Sequence, residues 1–239
     1  MPTTSAEELN ALIAGWERAL VIMAHPDDPE MFCGGTIALL TRLGLQVGYV
    51  LLTSGDKGSD DRSLSDEALA RRREEEQRAA AARLGVAEVV FLRHRDGELD
   101  DSFEIRREVV REIRRFRPQL VLTTDPARMY SRGVHHRDHR IAGLLVLDAV
   151  FPAARNHRYF PELLAEGWEP HVVKEIWLAG AGDPDLELNT SEVYETRLAA
   201  IACHRTQIGD VDKFYERARE SLARQEGPPT ERFKRLRVG

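Results

Sequence analysis

Two short stretches hold residue types that can do chemistry. Ala24-His25-Pro26-Asp27-Asp28-Pro29-Glu30 directly follows the apolar run Leu20-Val21-Ile22-Met23, so a histidine and two adjacent carboxylates stand where a buried strand ends. Such groups are costly to leave unpaired beside a core. A metal site explains their placement, and hydrolysis is the chemistry such a site performs. The second stretch, Val134-His135-His136-Arg137-Asp138-His139-Arg140, lies more than a hundred residues later. His136 and His139 are three apart, which on a helix N-terminus puts both on one face. Combined with His25 and Asp28, this stretch supplies N, O and N ligands for one divalent ion. Imidazole with carboxylate suits zinc, and three protein ligands leave a position open for water, whose pKa the metal lowers to about 7. A neighbouring unligated carboxylate can then take the proton, and a neighbouring imidazole can serve the oxyanion and the leaving group.

Elements that could position these groups follow from pattern. Ser5-Ala6-Glu7-Glu8 is a capping box opening a short helix. Buried strands are expected at Leu20–Ala24, Val47–Thr53, Val89–Leu92, Leu120–Thr124 and Val172–Leu178. Helices are expected from Gly34, over Ala68–Leu84 with Gly85 as C-cap, over Phe103–Phe116 ahead of Pro118, and over Ile141–Val150 and Val193–Ala202. A polar C-terminal segment follows. Strand and helix alternate, and several strands are continuous apolar runs, as in a sheet covered on both faces. The fold class is α/β with a mostly parallel sheet, a three-layer sandwich in one domain over 1–239, with a motif-bearing core from about 20 to 210 and the segment 211–239 packing on it. In such sheets ligands bind beyond the carboxyl ends of the strands. The His25 cluster, the Ser54 loop, the Asp96 loop and the Asp125 loop all follow strands and should share that rim.

The bulk numbers narrow the function classes. The chain has 239 residues, 42% hydrophobic and 31% charged, with a net charge of −6. That suits a soluble domain with a sizeable core and gives nothing to attract a phosphate backbone, so no nucleic-acid partner is expected. No apolar stretch reaches membrane-span length. The N-terminal Met1-Pro2-Thr3-Thr4-Ser5 lacks a basic region followed by an apolar one. Cys33 and Cys203 do not make a disulfide framework. A cytoplasmic location is the default expectation.

The motifs recur together in a known family. His25-Pro26-Asp27-Asp28-Pro29-Glu30 after the first strand, Thr53-Ser54-Gly55-Asp56-Lys57-Gly58, Arg73-Glu74-Glu75-Glu76, Asp96-Gly97, His136-Arg137-Asp138-His139 after the fourth strand and the late His204-Arg205-Thr206-Gln207 appear in order. In these the chain resembles the LmbE-like/PIG-L family of metal-dependent N-acetylglucosaminyl deacetylases, over about Leu20 to Phe233. The resemblance implies a Rossmann-like fold and a site in which His25, Asp28 and His139 bind zinc or ferrous iron. It implies Asp27 as the general base and His136 as oxyanion stabiliser or acid, with Asp138 orienting an imidazole. Arg73 and Asp96 fall at positions that contact substrate in some relatives. The implied substrate is a small N-acetylated sugar or conjugate, and self-association as a trimer or hexamer follows by analogy. Val134 stands where some family sugar deacetylases have a catalytic tyrosine; Tyr130 is near but out of register. Arg197 replaces the family's late lysine, and Asp56 its glutamate.

Blander readings exist for single residues. The first motif alone could be a loop whose Asp caps a helix. Glu30 reads as structural, bonding loop amides or ordering the turn, Cys33 as a small packed residue, and His135 as a neighbour of the ligands. His204 either shapes the pocket or braces the C-terminal segment. Gly34-Gly35 lacks a dinucleotide glycine pattern, and His94-Arg95-Asp96 lacks the other kinase motifs. The reading that absorbs most residues is a zinc-dependent N-deacetylase of N-acetylglucosamine-type substrates. The alternatives are a metal-dependent amidase on a thiol conjugate or other amide, and a non-catalytic sugar- or nucleotide-binding module.

Overall fold

The apolar runs pair into one seven-stranded sheet. A computed structural model describes residues 3–130 and 133–238. The strands are β1 (Arg18–Met23), β2 (Gln46–Thr53), β3 (Glu88–His94), β4 (Leu120–Thr124), β5 (Glu175–Ala179), β6 (Leu186–Asn189) and β7 (Thr230–Arg237), in the order β3-β2-β1-β4-β5-β7-β6. The first five in that order run parallel, and β7 is antiparallel to both β5 and β6. Strand order reverses between β1 and β4, which opens a crevice at their carboxyl ends. Both chemical stretches leave the sheet there, one after each strand.

The nine α-helices among the described residues are α1 (Ala6–Leu12), α2 (Asp28–Arg42), α3 (Asp66–Arg83), α4 (Phe103–Phe116), α5 (Arg137–Asp148), α6 (Pro161–Ala165), α7 (Tyr194–Ile201), α8 (Arg205–Ile208) and α9 (Val211–Arg224). They cover both faces of the sheet. Because strand side chains alternate, Val21 and Met23 of β1 join a core with Leu9 of α1, Ile37 and Leu40 of α2, and Ala80 of α3. Leu20 and Ile22 join the opposite core with Val109 and Ile113 of α4 and Val146 of α5. The expected three-layer α/β architecture is therefore present. No helix among the described residues is long and apolar enough to cross a membrane.

Three differences from the sequence reading matter for the site. First, α2 begins at Asp28 rather than Gly34, because Pro29 suits a first helical turn, where its missing N–H costs nothing. That turn breaks at Cys33 (φ −150°, ψ 24°), and a second run continues from Gly34. The break frees the amides of Gly35 and Thr36, which donate to the Glu231 carboxylate at 2.8 and 2.7 Å. Gly35 has to lack a side chain, since a Cβ there would lie 2.7 Å from Thr190. Second, α5 starts four residues early, at Arg137 with His136 as N-cap, and a π-helical turn over Ala149–Ala154 follows it. Third, 211–239 does not simply pack on a finished domain: β7 lies inside the sheet between β5 and β6. Its sequence, Thr-Glu-Arg-Phe-Lys-Arg-Leu-Arg, hides this because ion pairs replace much of the apolar pattern. Arg235 grips Glu175 of β5 at 2.6 and 3.0 Å, and Arg232 meets Glu187 of β6 at 2.6 Å.

Candidate active site

The loop after β1 closes on itself. The His25 N–H donates to Asp28 Oδ2 at 2.8 Å, which draws the first residue of α2 back under the strand end. Asp28 is buried, and its carboxyl lies far below the usual range: burial opposes ionisation, but His139 and His25 outweigh it. His139, in the first turn of α5, places Nε2 3.0 Å from Asp28 Oδ1 and 3.3 Å from His25 Nδ1. His25 Nδ1 lies 3.4 Å from Asp28 Oδ2. Donor atoms of a tetrahedral ion bound at 2.0–2.2 Å are separated by about 3.3 Å. His25 Nδ1 and His139 Nε2 therefore have the spacing of two corners of such a site, and Asp28 reaches each imidazole with a different carboxylate oxygen.

The other edge of His25 is also ringed by carboxylates. Its Nε2 lies 3.1 Å from Asp96 Oδ1 and 3.5 Å from Asp138 Oδ2. Burial would lower the imidazole's pKa, but Asp138, Asp28 and Asp96 together push it up to about 12. A histidine between three carboxylates marks a place built to hold positive charge, and a divalent cation can supply it. Donors of His25, His136 and His139 also lie within 4.8 Å of one another, as do those of His25, Asp96, His136 and Asp138. Asp138 is fully buried and accepts the Gly97 N–H at 2.6 Å, while Asp96 N–H donates to Asp56 Oδ1 at 2.9 Å. The loops after β2 and β3 are thereby tied to the site, as the shared rim requires.

Asp27 lines the same cavity as His25, Asp28 and His139. Burial and the neighbouring Asp28 push its carboxyl up to about 6, with Arg73 acting against them from 3.5 Å. Arg73 is itself buried and donates to Gly55 O at 3.0 Å and Pro26 O at 2.7 Å. Gly55 and Gly58 make room for it, since a Cβ at either would come within 2.2 Å of its Nη1. His136 is half-exposed. Its Nδ1 accepts the Asp138 N–H at 3.2 Å, and burial together with the nearby His25 cation lowers its pKa. The cavity these residues line measures about 490 Å³ and includes Met31, Phe32 and Gln207 at its walls.

The structure thus gathers all eight sequence-derived site residues, His25, Asp27, Asp28, Arg73, Asp96, His136, Asp138 and His139, around one crevice. It sharpens three readings. The imidazole that the Asp138 carboxylate faces is that of His25, whose Nε2 lies 3.5 Å away. Glu30 bonds side chains rather than loop amides: Tyr49 Oη at 3.1 Å, Gln77 Nε2 at 3.0 and 3.1 Å and His204 Nε2 at 3.0 Å. His204 is buried against Glu30 and so braces the late segment. Arg197 is used on the Glu30 and Met31 carbonyls and on Glu231. Tyr130 pairs with Val134 through an isolated bridge, and both are strongly exposed. Gln77 and Phe32 were missed; Gln77 stands four residues after Arg73, a spacing that shares a helix face.

The pattern of the family described as PIG-L, GlcNAc-PI de-N-acetylase, matches residues 20–150, more than half of the chain. This chain belongs to the PIG-L family. As a PIG-L enzyme it is a hydrolase of the N-deacetylase class. It is 36% identical over 192 residues to diacetylchitobiose deacetylase of Thermococcus kodakarensis, covering 80% of this chain and 70% of that one. It is 28% identical over 255 residues to 1D-myo-inositol 2-acetamido-2-deoxy-alpha-D-glucopyranoside deacetylase of Segniliparus rotundus, covering 80% and 77%. Among solved structures, N,N'-diacetylchitobiose deacetylase from Pyrococcus horikoshii superimposes with a TM-score of 0.85 at 28% identity, over 97% of this chain and 90% of that one. The PIG-L match spans β1 to α5, the part of the fold that holds both histidine motifs.

Proposed function

We propose that this PIG-L enzyme removes the acetyl group from the amine of an N-acetylglucosamine-type sugar or conjugate, using zinc held by His25 Nδ1, Asp28 and His139 Nε2. The observation that supports the reading is that His25 Nδ1 and His139 Nε2 lie 3.3 Å apart, each with one Asp28 oxygen at 3.0–3.4 Å, beside Asp27 in one cavity. The three relatives described above, deacetylases of diacetylchitobiose or of an acetamidoglucosyl inositol, support the substrate class. When bound, a divalent ion supplies Lewis acidity to the acetyl carbonyl and to a water.

The chain's own residues divide the remaining work. Asp138 and Asp96 hold the Nε2 edge of His25, which leaves Nδ1 to face Asp28 and His139. Asp27 takes a proton from the attacking water. A carboxyl near 6 is ionised at neutral pH yet basic enough to receive one. His136 accepts a backbone N–H at Nδ1, so its neutral ring carries the proton on Nε2. That N–H can donate a hydrogen bond to the oxyanion, and the proton that Asp27 took from the water passes to the departing amine, which returns Asp27 to its ionised form. Water and amide are consumed, and acetate and amine are formed.

The test is product analysis. Zinc-loaded protein is incubated with N,N'-diacetylchitobiose and with an N-acetylglucosaminyl inositol, and acetate and free amine are measured. Equal yields of both, abolished by a chelator and restored by zinc, are expected. Sugar binding without acetate would identify a binding module instead, and cleavage confined to other amides would remove the sugar assignment.

A further inference from the structure

Asp27 has φ +92° and ψ −31°, a conformation that L-residues rarely adopt and that persists only where surroundings hold it. Rotation of the peptide unit between Pro26 and Asp27 would release it, because that rotation changes ψ of the first residue and φ of the second together. Both poles of this one peptide are gripped from α3. The Pro26 carbonyl accepts from Arg73 Nη2 at 2.7 Å, and the Asp27 N–H donates to Gln77 Oε1 at 2.8 Å. Arg73 and Gln77 are four residues apart and share a helix face.

Gln77 is in turn aimed by a buried network. It is fully buried, and its Nε2 donates to both Glu30 oxygens. With both Glu30 oxygens accepting from the amide nitrogen, Oε1 is left to turn toward Asp27. Glu30, also fully buried, accepts from Tyr49 Oη of β2 and meets His204 Nε2 from the segment before α8. We propose that Gln77, oriented by Glu30, Tyr49 and His204, is a positioning residue that locks the Pro26–Asp27 peptide and thereby aims the Asp27 carboxylate. Gln77 does not line the cavity, so it acts through Asp27 and not on substrate. This inference rests on Asp27 being the base.

A double-mutant cycle in the zinc-loaded full chain tests it. Gln77→Met keeps bulk and removes the acceptor. It should lower kcat about 10- to 100-fold, the cost of misplacing a reacting group, with KM and zinc content changed less than about twofold. In an Asp27→Asn background the same substitution should change kcat less than about twofold, since the group it aims is gone. An equal loss in both backgrounds, or a wild-type kcat in Gln77→Met alone, would overturn the proposal. Full turnover in Asp27→Asn would instead remove the base assignment on which it rests. A measurement on the unaltered protein guards against misfolding of the variant: the Asp27 amide should be strongly protected from hydrogen exchange. Exchange at the rate of the exposed amides of residues 59–62 would refute the grip.

Discussion

Glu231, the second residue of β7, joins the last strand to the helix that opens the site, and its removal has a cost that can be worked out. Its carboxylate accepts from the amides of Gly35 and Thr36 at 2.8 and 2.7 Å and from Thr36 Oγ1 at 2.6 Å, and it lies 3.2 Å from Arg197 Nε. The two amides are buried at the break in α2, and the Glu231 carboxylate accepts from both. Glu231→Ala strands both. Each stranded donor costs about 1–3 kcal/mol, so the two amides cost about 2–6 kcal/mol. At this chain length each kcal/mol moves Tm by about 2–4 °C, which centres the expected fall at about 12 °C. Glu231→Gln keeps one acceptor oxygen and should lose about half as much. Thermal unfolding followed by far-ultraviolet circular dichroism, on metal-free and zinc-loaded protein, measures both. A Glu231→Ala variant melting within about 2 °C of wild type would refute the idea that β7 completes α2.

Three further outcomes are expected. Asp138→Asn weakens the charge behind His25 and should raise the zinc dissociation constant about 10- to 100-fold in a chelator competition; an unchanged constant would show that Asp138 does not support the ligand. Gly58→Ala places a Cβ 2.2 Å from Arg73 Nη1, so it should displace the guanidinium from Gly55 and Pro26 and lower kcat; a fully active variant would show that the loop yields freely. The Glu175 carboxyl is depressed in the fold. Burial opposes this, but the Arg235 guanidinium and the Trp177 N–H outweigh it. Its contribution to stability is therefore complete above the unfolded value of about 4.3 and is lost as pH falls through the lower folded value, so Glu175→Gln should flatten the acid side of a Tm–pH curve. An acid limb identical to wild type would contradict that linkage.

The parts of the molecule that were legible in its sequence are those governed by apolar periodicity and by side-chain chemistry. β1, β2 and β4 read as strands because both of their faces are buried, and α4 read to its observed ends because Ile105, Val109, Ile113 and Phe116 recur at helical spacing and Pro118 follows. His25, Asp28 and His139 read as a cluster because such residues are costly beside a strand end. β6 and β7 were not legible, since β7 satisfies its neighbours through Arg232 and Arg235 rather than through apolar contacts. The first turn of α2 was hidden because Pro29 and paired aspartates look like a loop, and Asp27 needs a positive φ that only tertiary contacts sustain. The partner of Asp138 could not be read either, because residues three apart on a helix say nothing about a histidine arriving from another strand.

The central claim is a division of labour within one loop: Asp28 binds metal with His25 and His139, while the adjacent Asp27 stays off it as base. Elemental analysis of purified wild type, His139→Ala and Asp27→Asn, paired with acetate release, tests it most directly. Wild type should hold about one zinc per chain, His139→Ala close to none, and Asp27→Asn as much as wild type with most turnover lost. Full zinc content in His139→Ala, or loss of zinc in Asp27→Asn, would contradict it.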